Sequence, residues 1–210
     1  MIRLIIFDFD GTIVDSKRAY YDSITARIIP MGFRTKKIEE TIDLGLNLAE
    51  TLKKFVPSLL YRSWLRRKIM KDVLAESSIV KKCRDVSHIG DIHIKKILVS
   101  NSLPEFVIPV LKHLKFKKLF REIYCADDFD NKAKFIKTYL KIHGIRPYEC
   151  FYVGDRIADI ALANKVGCYS IIISGKCSWS SKNELIRAKP DFIIPSLADL
   201  NRIVNNFKDE

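Results

Sequence analysis

Arg3-Leu4-Ile5-Ile6-Phe7-Asp8-Phe9-Asp10-Gly11-Thr12 begins as an apolar, β-friendly run and ends in acid and a glycine. Near-continuous apolar runs of this length, buried on both faces, mark the strands of a parallel sheet. The pattern recurs along the chain. Residues 97–99 end in Ser100-Asn101-Ser102, residues 123–126 in Asp127-Asp128, and residues 151–153 in Gly154-Asp155. Residues 169–173 end in Ser174-Gly175, and residues 192–194 end at Pro195.

Helical spacing fills the intervals. Pro104 suits a helix start, with Val107, Val110, Leu111 and Leu114 following on one face. Phe135, Ile136, Tyr139, Leu140 and His143 form a second face, stopped by Gly144. Ile157, Ile160, Ala161 and Asn164 form a third, stopped by Gly167, and residues 197–207 form a last amphipathic helix. This alternation predicts an α/β fold with a Rossmann-like, doubly wound parallel sheet. Such folds bind ligands at the carboxyl ends of the strands, where the polar residues above all fall.

Residues 16–82 read differently. They show no strand, and helices are expected over 19–29, 38–44, 48–55 and 60–74, broken by Pro30-Met31-Gly32, Gly45 and Pro57. The expected organisation is a core of residues 1–15 and 83–210 with a helical insert of 16–82. That insert holds 15 Lys plus Arg against 7 Asp plus Glu, so it carries most of the chain's net charge of +12. A balance this basic favours anionic partners.

The chain has 210 residues, 48% of them hydrophobic and 30% charged, with 8 Gly and 7 Pro, which excludes disordered and collagen-like classes. No apolar run approaches the ~18 residues of a membrane span, and the first apolar run is too short for a signal peptide. A cytoplasmic globular protein, monomer or homodimer, is the expectation. Cys83, Cys125, Cys150, Cys168 and Cys177 show no metal-ligand spacing, which leaves their pairing open. Cys125 and Cys150 adjoin strand-like runs as small buried hydrophobes. Gln is absent while Ile, Lys and Arg abound, a composition that points toward hyperthermophiles, in which intracellular disulfides do occur.

Four pieces at strand ends suit phosphoryl chemistry. Asp8 and Asp10, two apart on a strand, face one pocket as a nucleophile and a proton shuttle. Gly11 lets the chain turn and brings backbone N–H groups toward a phosphate, with Thr12 beside it. Ser100 and Asn101 offer a hydroxyl and an N–H as donors to phosphate oxygens. Lys132, with Lys134 nearby, opens a helix where a cation opposes the dipole unless an anion sits there. Asp155 and Asp159 offer hard oxygens suited to Mg²⁺, although each also suits helix capping.

Taken together, these pieces resemble the haloacid dehalogenase superfamily of phosphohydrolases. The resemblance spans the chain: Asp8-x-Asp10-Gly11-Thr12, then Ser100-Asn101, a lysine at a helix start, and Gly154-Asp155-x-x-x-Asp159-Ile160. Residues 154–175 and the position of the insert look like the phosphoglycolate-phosphatase-like branch, in which the insert is a cap. Gly45-Leu46-Asn47-Leu48 resembles the cap loop that helps select substrate there. The resemblance implies Asp8 as nucleophile and Asp10 as general acid/base. It implies Mg²⁺ on Asp8, Asp155 and the Asp10 carbonyl, phosphate on Ser100 and Asn101, neutralisation by Lys132, and Asp159 orienting the lysine or the metal shell. The branch commonly reads Lys-Pro where this chain has Asn131-Lys132-Ala133-Lys134, so Lys134 competes with Lys132, the residue at the helix start.

The activity so implied is hydrolysis of a small phosphate monoester. A phosphomutase would use the same core residues, and a nucleic-acid-binding protein or end-phosphatase would use the basic insert. A dehalogenase fits less well, because Asp10 would have no role. Arg27, Arg34, Arg62, Arg66 and Arg67 are candidates for a second anionic group of the substrate, and Trp179 is a candidate for the cleft wall.

Overall fold

The computed structural model describes residues 1–44, 46, 48–77 and 79–207. Six strands form one parallel sheet: β1 (Leu4–Phe7), β4 (Lys95–Val99), β5 (Glu122–Tyr124), β6 (Cys150–Gly154), β7 (Tyr169–Ile173) and β8 (Phe192–Ile194). Their order is β5-β4-β1-β6-β7-β8. Central β1 pairs on both sides, Phe7 standing opposite Leu98 and opposite Val153.

Alternation along β1 builds the two layers. Ile5 and Phe7 join the buried cluster of helices α5 (Pro104–His113) and α9 (Leu200–Asn206). Leu4 and Ile6 pack against α6 (Lys132–Ile142) and α7 (Ile157–Val166) on the opposite face. Both faces being covered, each fully buried side chain such as Phe7 contributes about 1.5–3 kcal/mol, which explains why the strands read as unbroken apolar runs. The doubly wound architecture expected from the sequence is therefore present.

Among the described residues of 17–75 stand four α-helices: α1 (Lys17–Ile28), α2 (Thr35–Ile42), α3 (Leu48–Lys53) and α4 (Leu59–Ala75). Ser58 caps α4, its hydroxyl accepting the Tyr61 N–H at 3.3 Å. The inward faces, Ile24, Ile28, Ile38, Leu52, Leu65 and Ile69, belong to the same apolar cluster as Ile5 and Phe7.

Three local expectations are corrected. The first strand covers Leu4–Phe7, only part of the opening run of residues 3–12. Beyond it the chain folds back, the Ile13 N–H reaching the Phe9 carbonyl at 2.8 Å with Gly11 at φ +78°. Second, the 16–82 segment does contain a strand. The pair β2 (Val14–Asp15) and β3 (Lys81–Lys82) forms an antiparallel ribbon at the two ends of the insert. Two-residue strands carry no readable periodicity. Third, α8 (Lys182–Arg187) was not anticipated, although Ser181 and Glu184 form its capping box.

Cys83 and Cys177 form a disulfide with Cα atoms 5.9 Å apart, and Cys125, Cys150 and Cys168 are buried and free. Among the described residues no helix is long and apolar enough to cross a membrane.

Candidate active site

The winding reverses between β1 and β6, since β4 and β5 lie on one side of β1 and β6, β7 and β8 on the other. Asp8 follows the last residue of β1, and Asp155 follows the last residue of β6. Two neighbouring strands thus deliver two carboxylates to the topological switch point, where crevices form in such sheets.

Asp8 is paired. Lys132 Nζ donates to its Oδ1 at 2.6 Å, with the two side chains 8% and 11% exposed. Lys132 is the first residue of α6, whose N-cap Asn131 accepts the Lys134 N–H at 2.9 Å. Lys134 is exposed, so the geometry favours Lys132 over it. Removing one partner of so buried a pair strands the other charge, at about 3–5 kcal/mol.

Asp10 lies on the same cavity and is held by two hydroxyls. Ser16 Oγ donates to Oδ1 at 2.5 Å and Ser102 Oγ donates to Oδ2 at 2.6 Å. Tyr20, from α1, meets Ser102 Oγ at 2.9 Å. Burial, and then the neighbouring Asp8, push the Asp10 carboxyl above its ordinary range, and the two serines pull it partway back. None of Ser16, Ser102 and Tyr20 carried a sequence signal, because each is a single hydroxyl in an unremarkable local setting.

Asp155 is fully buried. The Trp179 N–H donates to its Oδ2 at 2.6 Å, and Thr12 Oγ1 donates to its Oδ1 at 3.3 Å. Burial raises this carboxyl well above its ordinary value; Arg156 opposes the shift, while Asp159 and Asp8 reinforce it. Asp159 serves two purposes. Its Oδ2 accepts the N–H groups of Asp155 and Arg156, both at 3.0 Å, at the start of α7, and its Oδ1 accepts the Tyr152 hydroxyl at 3.3 Å. Glycines permit this crowding. A Cβ on Gly154 would sit 2.4 Å from Asp159 Cγ, and one on Gly11 would sit 2.3 Å from Asp155 Oδ2.

Oxygens of Asp8, Asp155 and Asp159 lie within 4.8 Å of one another, and all three residues are buried. Burial and neighbouring carboxylates disfavour the charge of Asp155 and Asp159, and these two with Asp8 present three hard oxygen donors that fit a small divalent cation such as Mg²⁺. The Asp10 carboxylate, bound to two serines, is not part of this group.

The expected phosphate donors separate. Asn101 lies on the cavity wall. Ser100 is fully buried off the wall, its hydroxyl accepting the Ser102 N–H at 3.0 Å. Gly11 commits its N–H to the Val14 carbonyl at 2.8 Å, and Thr12 commits its hydroxyl to Asp155. Both hold the loop and the carboxylate rather than facing the cavity, because the turn that Gly11 permits folds these groups inward.

The cavity encloses about 390 Å³ between the sheet ends and the helical segment. Arg66, Leu46, Leu48 and Met70 of the helical segment line it together with Asp8 and Lys132. Of the selectivity loop expected at residues 45–48, Gly45 and Asn47 lie outside the described residues. Arg66 is the one of the five arginine candidates that reaches this wall. Arg27 pairs with Asp72 at 2.5 Å, Arg62 binds the Val56 and Pro57 carbonyls at 2.9 Å, and Arg34 and Arg67 are solvent-exposed. Trp179 does line the cleft. The Arg156 guanidinium lies 3.5 Å from the centre of the Trp179 ring, and Arg156 joins the wall as a residue that sequence reading had not singled out.

Residues 5–173 match the family model described as haloacid dehalogenase-like hydrolase. The chain is 27% identical over 231 residues to phosphoglycolate phosphatase of Escherichia coli O157:H7, covering 95% of this chain and 91% of that one. Against phosphoglycolate phosphatase of Vibrio parahaemolyticus it is 25% identical, covering 97% and 96%. Two solved structures share the fold. A haloacid dehalogenase-like family hydrolase from Streptococcus pneumoniae has TM-score 0.77 at 18% identity, covering 97% of this chain and 98% of that one. CbbY from Rhodobacter sphaeroides in complex with phosphate has TM-score 0.76 at 16% identity, covering 95% and 96%. With the family model spanning most of the chain and the carboxylates placed at the switch point of the sheet, this protein belongs to the haloacid dehalogenase-like hydrolase family.

Proposed function

We propose that this protein is a cytoplasmic, Mg²⁺-dependent phosphatase that hydrolyses a small phosphate monoester through an aspartyl-phosphate on Asp8. The observation that carries the reading is the meeting of Asp8, paired to Lys132 at 2.6 Å, with Asp10 on one cavity. The curated relatives named phosphoglycolate phosphatase support the reaction class.

An Asp8 oxygen attacks phosphorus and the ester P–O bond breaks. Asp10, in its protonated form, delivers a proton to the leaving alkoxide. Water then attacks the acyl-phosphate, Asp10 takes its proton, and Asp8 and inorganic phosphate are released. Lys132 offsets the charge of nucleophile and phosphate, and Asn101, on the cavity wall, is the remaining phosphate donor, with Ser100 behind it bracing the turn. Mg²⁺, held by Asp8, Asp155 and the Asp10 carbonyl with Asp159 supporting the group, would supply further charge neutralisation when bound.

Residues 16–82 act in this reading as a cap over a core of 1–15 and 83–210, with the β2–β3 ribbon as its stem. Arg66 on the cap side of the cavity would receive a second anionic group of the substrate, the Leu46, Leu48 and Met70 surface limiting its size. Release of inorganic phosphate from a panel of monoesters, with Mg²⁺ and with EDTA, tests the proposal beside Asp8→Asn. Turnover that needs the metal and disappears in the variant supports it; turnover in the variant refutes it. Stoichiometric product without free phosphate would point to a mutase instead.

A further inference from the structure

The Cys83–Cys177 disulfide joins two parts of the molecule 94 residues apart in sequence. Cys83 follows β3, and its N–H donates to the Ile13 carbonyl at 2.9 Å, so it sits at the foot of the stem ribbon. Cys177 lies in the loop between β7 and α8, two residues before Trp179.

That loop holds the site at several points. The Trp179 N–H fixes Asp155 Oδ2 at 2.6 Å, and its indole lies against Arg156. Its carbonyl accepts Lys17 Nζ at 2.8 Å, and Lys17 is the first residue of α1. Ser180 Oγ accepts the Ile157 N–H at 3.3 Å, at the start of α7. The crosslink thus fastens the stem of the helical segment to the loop that orients Asp155 and Arg156.

We propose that the Cys83–Cys177 disulfide is a redox-sensitive positioning element of the active site. Formed, it locks the Trp179 loop against Asp155; reduced, it frees the loop and weakens the site. Cys177 is half-buried whereas Cys83 is buried, so Cys177 is the more accessible point of attack. A thiolate of a dithiol reductant attacks Cys177 Sγ, and the S–S bond breaks with Cys83 leaving as thiolate. The second thiol of the reductant attacks the mixed disulfide, releasing Cys177 and leaving the reductant oxidised. Protons lost by the two reductant thiols appear on the two cysteines, so two electrons and two protons are transferred.

This inference rests on the proposed function for its Mg²⁺ and kinetic arms, and the alkylation and quenching arms are independent of it. Alkylation under denaturing conditions, read by intact mass, should add three groups to the isolated protein and five after treatment with tris(2-carboxyethyl)phosphine, the five being all the cysteines. Five groups without reductant would overturn the proposal. In a Trp64→Phe background, which leaves Trp179 the only tryptophan, reduction should raise acrylamide quenching about twofold. The concentration of Mg²⁺ that half-saturates the fluorescence change should rise about threefold or more, as Asp155 loses its fixed donor. Phosphatase kcat/KM should fall about tenfold, and Cys83→Ser/Cys177→Ser should match the reduced protein and ignore reductant. A lower Tm with unchanged quenching, Mg²⁺ response and kinetics would make the bond a structural staple and overturn the positioning role. If neither form releases phosphate, the phosphatase reading fails, while a change in quenching on reduction still decides whether the bond holds the Trp179 loop.

Discussion

Ser102 Oγ donates to Asp10 Oδ2 at 2.6 Å while meeting the Tyr20 hydroxyl at 2.9 Å. With its hydrogen given to Asp10, Ser102 accepts from Tyr20, so helix α1 reaches the proposed general acid through one hydroxyl. Burial holds the Tyr20 phenol above its ordinary pKa, which keeps it a donor. Ser102→Ala should therefore lower kcat about 10–100-fold while KM changes less than about threefold. Tyr20→Phe should give a smaller loss of the same kind. A Ser102→Ala enzyme whose KM rises with kcat intact would remove the positioning role.

Lys132 and Lys134 separate by geometry. Lys132→Met should reduce kcat/KM about 10²–10³-fold, whereas Lys134→Ala, at an exposed position, should stay within about twofold. Equal losses in both variants would contradict the pairing of Lys132 with Asp8.

Cation binding should show in stability without any turnover. At about 100 times its dissociation constant, Mg²⁺ contributes about 2.7 kcal/mol, which is about 5–10 °C in Tm for a chain of this size. Asp155→Asn should abolish that increment, and EDTA should remove it from the wild type. A Tm indifferent to Mg²⁺ and EDTA would exclude the Asp8–Asp155–Asp159 group as its site.

Arg66, from the helical segment, is on the cavity wall. Arg66→Ala should raise KM about tenfold for a monoester carrying a second anion and little for a neutral one. Arg34→Ala and Arg67→Ala, both exposed, should leave KM unchanged. The kinetics of these variants on matched substrates check both statements.

Glu122 makes an acid-sensitive contact at the sheet edge. Partial burial works against its charge, but Lys95 at 2.7 Å, with the Tyr124 and Tyr139 hydroxyls at 2.7 and 2.8 Å, outweighs it. The pKa is pulled down from 4.5 to about 2. The stabilisation is therefore complete above pH 4.5 and is lost as pH falls toward 2. Glu122→Gln should cost about 1–2 kcal/mol at pH 7 after allowance for solvent screening, and the gap to wild type should close near pH 2. Urea unfolding at several pH values reads it; a gap independent of pH would show that the carboxylate charge is not involved.

The sequence by itself determined the layered sheet and the placement of Asp8, Asp10, Lys132, Asp155 and Asp159. Apolar runs alternating with helical spacing specify strands and helices locally, and a parallel sheet brings every strand end to one edge. The tertiary structure alone decided what surrounds those residues. Ser102 reaches Asp10 across 92 positions, Trp179 reaches Asp155 across 24, and Cys83 bonds Cys177 across 94. It also turned Gly11 and Thr12 inward, set the Lys132 ammonium on Asp8 and left one arginine of the helical segment facing the cavity. Spacing along a chain reports only neighbours within an element, whereas these contacts depend on how separate elements pack, which no local period encodes.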